Sequence, residues 1–155
     1  MFVGRVLGIA ETKYRFSSGY PYTKYEVEVL ENLKGADLKL GVIPVWKSGG
    51  VAKDRKNVYF VSEDDFLPQE GDVCVFFACT QEDGSLLLAG VNSNNLLMKE
   101  DLNEKASAAN ALKAAKGFPD YKKAVEACKN QVVYKRERSA TAPELLAGWE
   151  GKPSK

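Results

Sequence analysis

The rhythm of hydrophobic and polar positions changes near residue 99. Before it, apolar residues alternate with polar ones or form short runs, as strands require. After it they recur at helical spacing. Phe2 to Ala10 is an apolar stretch interrupted by Gly4 and Gly8, and glycine inside a strand marks a bulge or tight bend. Ser17-Ser18-Gly19 is a turn signal. Tyr22 to Leu30 has period 2, with Tyr25, Val27 and Val29 on one face and Lys24, Glu26 and Glu28 on a solvated one. Leu33-Lys34-Gly35-Ala36-Asp37 closes that strand with a turn. A third strand, Val42 to Lys47, ends at Ser48-Gly49-Gly50, and Pro44 within it predicts an edge position or a bulge.

Residues 48–71 read as loop, with a short strand over Val58 to Val61 and a turn at Pro68 to Asp72. Val73 to Thr80 is apolar on both faces: Val73, Val75, Phe77 and Cys79 against Cys74, Phe76 and Ala78. Such a strand must be covered on both sides. Asp83-Gly84 is a hairpin signal leading to a fifth strand, Leu86 to Val91, ended by Asn92-Ser93-Asn94-Asn95. Asp101 with Glu104 forms a capping-box pattern, followed by Leu102, Ala106, Ala109 and Leu112 at helical spacing. Gly117 is a C-cap candidate, and Phe118-Pro119-Asp120 starts a second helix with Tyr121, Val125, Cys128 and Val132 as its stripe.

These elements predict a mainly β fold: a five-stranded, OB-like Greek-key barrel followed by two short C-terminal helices. The helices would cover the second face of the strands at 73–80 and 86–91. Residues 1–134 form one domain, with the barrel at 2–96 and a helical appendage at 99–134. The charged tail 135–155 is either frayed or carries a short helix docked through Leu145, Leu146 and Trp149.

Length agrees, since 155 residues is about one domain. Charge changes the picture more. The formal net charge of +1 hides three segments. Residues 1–60 hold 10 basic and 6 acidic groups, residues 61–104 hold 1 and 10, and residues 105–155 hold 11 and 5. An acidic middle facing basic ends accounts for this without a partner. The chain has no histidine, which excludes Ser-His-Asp and Cys-His catalysis and His-ligated metal. No apolar run approaches the about 18 residues of a membrane span. Three cysteines cannot all pair within one chain, and no CxxC occurs. Cys128 with Cys74 or with Cys79 stays open, beside the reading that all three are free. The start Met1-Phe2-Val3-Gly4-Arg5 lacks the features of a signal peptide. The expectation is a cytoplasmic protein, or a secreted or envelope protein if a leader has been removed.

Candidate chemistry concentrates in Tyr14 to Tyr25, which holds four of the seven tyrosines together with Phe16. Tyr14, Arg15, Phe16, Tyr20 and Tyr22 lie between the first two strands, where OB-folds border their ligand face. Aromatics interleaved with Lys13, Arg15 and Lys24 can stack bases and neutralise phosphates, but the low net charge disfavours nucleic acid. The competing reading is strand-forming tyrosines at a hairpin end. Trp46 and the basic loop residues Lys53, Arg55 and Lys56, flanking Gly49-Gly50, complete the predicted ligand surface. They match no phosphate-binding Walker pattern. Glu63, Asp64 and Asp65, with Glu70 and Asp72, are oxygen donors without EF-hand spacing, so no metal or cofactor is predicted. The acids at 63–65 also give a general acid/base alternative. The reading favoured is a non-catalytic binding module for an unknown protein or envelope ligand, with a single-stranded nucleic-acid binder as the other alternative.

Several stretches resemble a known family. They are Phe2-Val3-Gly4-Arg5-Val6, then Tyr25-Glu26-Val27-Glu28-Val29-Leu30-Glu31-Asn32-Leu33-Lys34-Gly35, then Gly49-Gly50, then Gly71 with Val75-Phe76-Phe77-Ala78. Together they are similar to uncharacterised secreted domains of Gram-positive bacteria with an OB or netrin-like (tissue-inhibitor-of-metalloproteinase-like) barrel. The resemblance covers about residues 2–96 and leaves the helices outside. It implies a secreted or cell-surface barrel of non-enzymatic type, with no catalytic residues to carry over. The chain departs from disulfide-tied netrin-like modules in lacking an N-terminal cysteine cluster, which argues against an inhibitor role.

Overall fold

Two long strands organise the structure, a computed structural model that describes residues 1–15, 19–35, 38–104 and 106–131, with Arg15 described through its backbone alone. β1 (Phe2–Arg15) and β2 (Tyr20–Asn32) pair antiparallel along their whole length. Both run further than the hydropathy pattern predicts, so the expected loop 14–25 is largely strand. The register slips between Val3 and Gly4, between Val6 and Gly8, and between Ile9 and Glu11. Gly4 and Gly8 therefore stand at bulges, as glycine in these strands predicts, and bulges bend a long hairpin enough to curl a sheet.

β3 (Gly41–Ser48) pairs antiparallel with β2. β4 (Gly50–Val51) and β5 (Val58–Tyr59) form a separate two-stranded sheet. β6 (Asp72–Phe76) lies antiparallel to β1, and β7 (Cys79–Thr80) follows after Phe77 and Ala78. β8 (Leu86–Leu88) pairs antiparallel with β7 and parallel with β3. β9 (Asn94–Lys99) lies against β6. The main sheet has the order β7-β8-β3-β2-β1-β6-β9 and curls into a half-barrel. The expected five strands are thus seven in this sheet. The run 73–80 divides because Phe77 turns out to solvent, and β9 occupies what reads as a turn-rich Asn segment. The fifth strand stops at Leu88, so Val91 lies outside it, exposed. β8 pairs only Val45 to Lys47, which leaves Pro44 where one side of β3 has no strand among the described residues.

Period 2 divides the buried side chains between two faces. Phe2, Val6, Tyr25, Val27, Val29, Val45, Cys74, Phe76, Leu86 and Leu88 fill the concave side, with Phe2 stacked on Phe76 at 5.1 Å. Val3, Leu30, Val73, Val75 and Leu97 face the other way, under Ala111, Ala115 and Ala124 of the helices. β6 is buried at every position, as expected for a strand covered on both sides. The helix that carries Ala111 and Ala115 lies against β2 and the one that carries Ala124 lies against β9, with Val73 and Val75 of β6 in the same cluster, whereas Leu86 and Leu88 belong to the concave core.

The helices are α1 (Ala108–Ala115) and α2 (Pro119–Lys129). Asp101 does not cap α1. Its carboxylate accepts from the Asn103 N–H at 2.9 Å and closes a single 3-10 turn, Leu102–Glu104. Ser107 is the N-cap, accepting from the Asn110 N–H, and the buried positions are Ala111 and Ala115, not Ala109. Lys116, not Gly117, is the C-cap of α1. Pro119 opens α2, where a missing N–H costs nothing. Val132 and the tail 135–155 lie outside the described residues, so the docked-helix expectation does too.

A buried guanidinium joins strands to appendage. Arg5 faces Glu28 across the β1–β2 ladder and is bonded to its carboxylate at 2.5 Å. Arg5 also reaches Glu100 at 2.6 Å and the Ala106 carbonyl at 2.8 Å. Glu28 is therefore not on a fully solvated face. Burial alone would lower the Arg5 pKa, but the hydrogen bonds to Glu100 and Glu28 outweigh it and raise it.

Candidate functional site

The end of the β1–β2 hairpin carries the small β4–β5 sheet beside it. The connection is made by Gly49 and Gly50. The Gly49 N–H donates to the Pro21 carbonyl at 3.0 Å, and the Thr23 hydroxyl donates to the Gly49 carbonyl at 2.7 Å. Gly50 has φ +136°, and a side chain there would run into Thr23 Oγ1, so the chain crosses β2 at this point only as glycine.

Of the predicted ligand residues, Tyr22 and Trp46 are packing groups. They are 4% and 6% exposed and stack at 5.0 Å with an interplanar angle of 11°. Lys13 and Lys24 stand over the same indole at 5.0 and 5.3 Å, and each also approaches Glu11. A cation over an indole face is attracted by its quadrupole. These lysines are therefore already engaged, and the Tyr22–Trp46 pair offers no free faces for base stacking. The tyrosine-rich stretch is explained here by strand packing.

Tyr14 and Tyr20 differ from that pair. Tyr14 is 40% exposed, and its hydroxyl lies 3.4 Å from the Val51 carbonyl in β4. Tyr20 is half-buried. Its ring lies 5.6 Å from that of Tyr59, and its hydroxyl lies 3.4 Å from the Phe60 carbonyl. Burial of the Tyr20 phenol, with Asp65 nearby, raises its pKa. Val51 pairs with Val58 across the small sheet. Tyr14, Val51, Val58, Tyr59, Phe60 and Val61 are all exposed; Tyr14 meets β4 at Val51, which stands opposite Val58, while Tyr59 points to the other face, toward Tyr20. Sequence reading gave a short strand over Val58 to Val61 within a loop and did not place it on the ligand surface; the strand is Val58–Tyr59.

Lys53, Arg55 and Lys56 sit together on the exposed turn between β4 and β5. The Arg55 N–H donates to the Ala52 carbonyl, and the Lys56 N–H to the Asp54 carboxylate at 3.0 Å. Arg55 adopts φ +58° in that turn. The basic residues thus flank the apolar strip, and Trp46 is buried away from it. The side chain of Arg15 and all of Phe16 lie outside the described residues.

The acids at 63–65 separate. Glu63 and Asp64 are exposed, while Asp65 is buried and bonded to the Lys47 ammonium at 2.8 Å. Lys47 also donates to Ser93 at 3.2 Å. Lys47 lies on the inward face of β3, two residues after Val45, which is the only sequence signal that it is buried. The pair pins the 62–66 turn to the sheet, helped by Asn94, whose amide donates to the Phe66 carbonyl. Among the described residues, no three His, Cys, Asp or Glu side chains are placed to hold a metal ion. All three cysteines are free, with Cys74 buried, Cys79 exposed and Cys128 between. No helix among the described residues is long and apolar enough to cross a membrane.

Compared with known proteins, the chain matches no family model, no curated protein and no solved structure.

Proposed function

We propose that this protein is a non-catalytic binding module that takes a protein ligand on the face built from the hairpin end and the β4–β5 sheet. The observation that carries the reading is that Tyr14, Val51, Val58, Tyr59, Phe60 and Val61 are all exposed at the hairpin end and the β4–β5 sheet, with Lys53, Arg55 and Lys56 on the turn between β4 and β5. Apolar side chains left together in water mark interaction surfaces more often than they occur by chance. Tyrosines at such a face supply area at low entropic cost. The basic turn favours an acidic partner.

The strand plan supports an OB-like reading of the half-barrel. β1, β2 and β3 form an antiparallel meander, and β3 pairs parallel with β8. β6 and β7 lie on one stretch of chain that pairs with β1 at one end and β8 at the other. In OB-folds the loop after the first strand borders the ligand face, and here that place is the hairpin end. The resemblance to secreted Gram-positive barrels adds a location for this activity, outside the cell or on its surface.

The test is selection of a displayed random-peptide library on the immobilised protein, with a Val58→Ser, Phe60→Ser double variant as counter-target. Acidic sequences that bind the parent and not the variant are expected. Failure to enrich any such sequence overturns the reading. Turnover of a substrate that is lost on replacing Glu63 or Asp64 alone would replace it with an enzymatic one.

A further inference from the structure

The buried Lys47–Asp65 pair leaves part of its hydrogen-bonding capacity unspent. Lys47 is wholly buried, and an ammonium carries three N–H donors. One reaches Asp65 Oδ1 at 2.8 Å and one reaches Ser93 Oγ at 3.2 Å. Ser93 gives its own hydroxyl hydrogen to the Gly90 carbonyl at 2.9 Å, so it accepts from the lysine and has nothing further to donate. The third N–H of Lys47 has no acceptor among the described residues. Two acceptors are left over beside it. Asp65 and Asn94 are 6% and 3% exposed, and Asp65 Oδ2 and Asn94 Oδ1 are both buried without a donor among the described residues.

Turning the amide over does not help. Asn94 Nδ2 donates to the Phe66 carbonyl at 3.2 Å, and the reversed amide would set two oxygens against each other. The leftover groups belong to one cluster. Phe66 follows Asp65 and Asn94 follows Ser93, and these two dipeptides are tied at both members, through Lys47 and through the Asn94 amide.

We infer that one water molecule is built into this cluster, accepting the third N–H of Lys47 and donating to Asp65 Oδ2 and Asn94 Oδ1. The balance of donors and acceptors selects it. Water accepts and donates at once, and a buried water typically makes about three hydrogen bonds to groups that are otherwise unpaired. A metal cation would suit the two oxygens but would stand against the Lys47 ammonium. An anion would suit the ammonium but would stand against the Asp65 carboxylate. The water is a positioning group. Asp65 closes a turn whose N–H donates to the Ser62 carbonyl at 3.1 Å. Lys47 holds that turn to β3, and the water adds a second tie to the start of β9. The same stretch of chain continues from Phe60 and Val61, so the site helps to fix where those side chains stand.

The experiment is a crystal structure of the full chain at a resolution that shows ordered water, joined to relaxation dispersion of the solvent signal in solution for the parent and for Asn94→Leu. Density is expected at about 2.7–3.2 Å from Asp65 Oδ2, Asn94 Oδ1 and Lys47 Nζ. The parent is expected to hold one more long-lived water than the variant, in which the leucine occupies the place. If Asn94→Leu does not fold, the parent crystal decides alone. No density at that point, an atom at the about 2.3–2.6 Å of a calcium ion, Asp65 Oδ2 bonded directly to Asn94 Oδ1 through a shared proton, or equal water counts in the two folded proteins would each overturn the inference.

Discussion

Arg5 Nη1 lies 2.6 Å from Glu100 Oε2, joining the first strand to the segment that leads into the helices. The guanidinium is wholly buried and holds Glu28 as well. Removing one partner of a buried ion group strands the others without water. Arg5→Met is therefore expected to cost about 3–5 kcal/mol in urea unfolding. Adding Glu28→Gln and Glu100→Gln to the same chain should recover a large part of that loss. Equal stability of the single and triple variants would show that the charges, once desolvated, do not depend on one another.

Gly71 gives a backbone test. Its φ is +85°, and a side chain there would meet the Glu100 carbonyl oxygen directly. The same residue donates to the Val6 carbonyl and accepts from the Glu100 N–H. Gly71→Ala combines positive-φ strain, on the order of 1–3 kcal/mol, with a backbone collision. A fall in melting temperature is expected, with loss of amide exchange protection at Glu100. An unchanged melt would mean that the turn into β6 relaxes freely.

Tyr22 and Tyr14 lie on adjacent strands near the hairpin end but differ in role. Tyr22→Ala opens a cavity against Trp46 and is expected to cost about 3–5 kcal/mol. Tyr14→Ala is expected to leave the melting temperature within a degree or so, since surface changes stay within about 0.5 kcal/mol, and to weaken the selected peptides. The reverse pattern would exchange the assignments of core and surface.

The three thiols should react in a fixed order. Burial raises the Cys74 pKa, and the nearby Asp72 charge adds to it. The thiolate is the reactive form, so Cys74 stays protonated and shielded at mildly alkaline pH. A disulfide reagent is expected to modify Cys79 first, Cys128 more slowly and Cys74 only after unfolding. Mass analysis of the native protein showing Cys74 modified would contradict its placement in the core.

The strands best read from sequence were those whose pattern is local. Tyr25, Val27 and Val29 all point inward as period 2 requires, and β6 is two-faced as its composition requires. What escaped depends on partners distant in sequence. β9 begins with Asn94 and Asn95, a turn signature, and becomes a strand because β6 offers it a ladder. Arg5 is buried because Glu28 and Glu100 meet it there, and Lys47 because Asp65 does. Of the residues proposed for a ligand surface, Tyr14 and the basic turn are exposed, whereas Tyr22 and Trp46 turn inward to stack on each other. A tyrosine looks the same in sequence whether its ring meets water or an indole.

The pairing of the strands also sets the order in which they assemble. Only four residues of sequence separate β1 from β2, and β-hairpins form in about 1–10 μs. Phe2 opposite Phe76, and Val45 opposite Leu86, join positions that the chain must bring back across long loops. Each such closure spends chain entropy before any contact returns it. The hairpin end, with its tyrosines, is thus expected to form before β6, β8 and the helices dock. During synthesis the apolar strip on β5 emerges before residues 72–88 exist to complete the sheet. The side chains of Val58 to Val61 therefore stand in water on the growing chain and on the finished one alike.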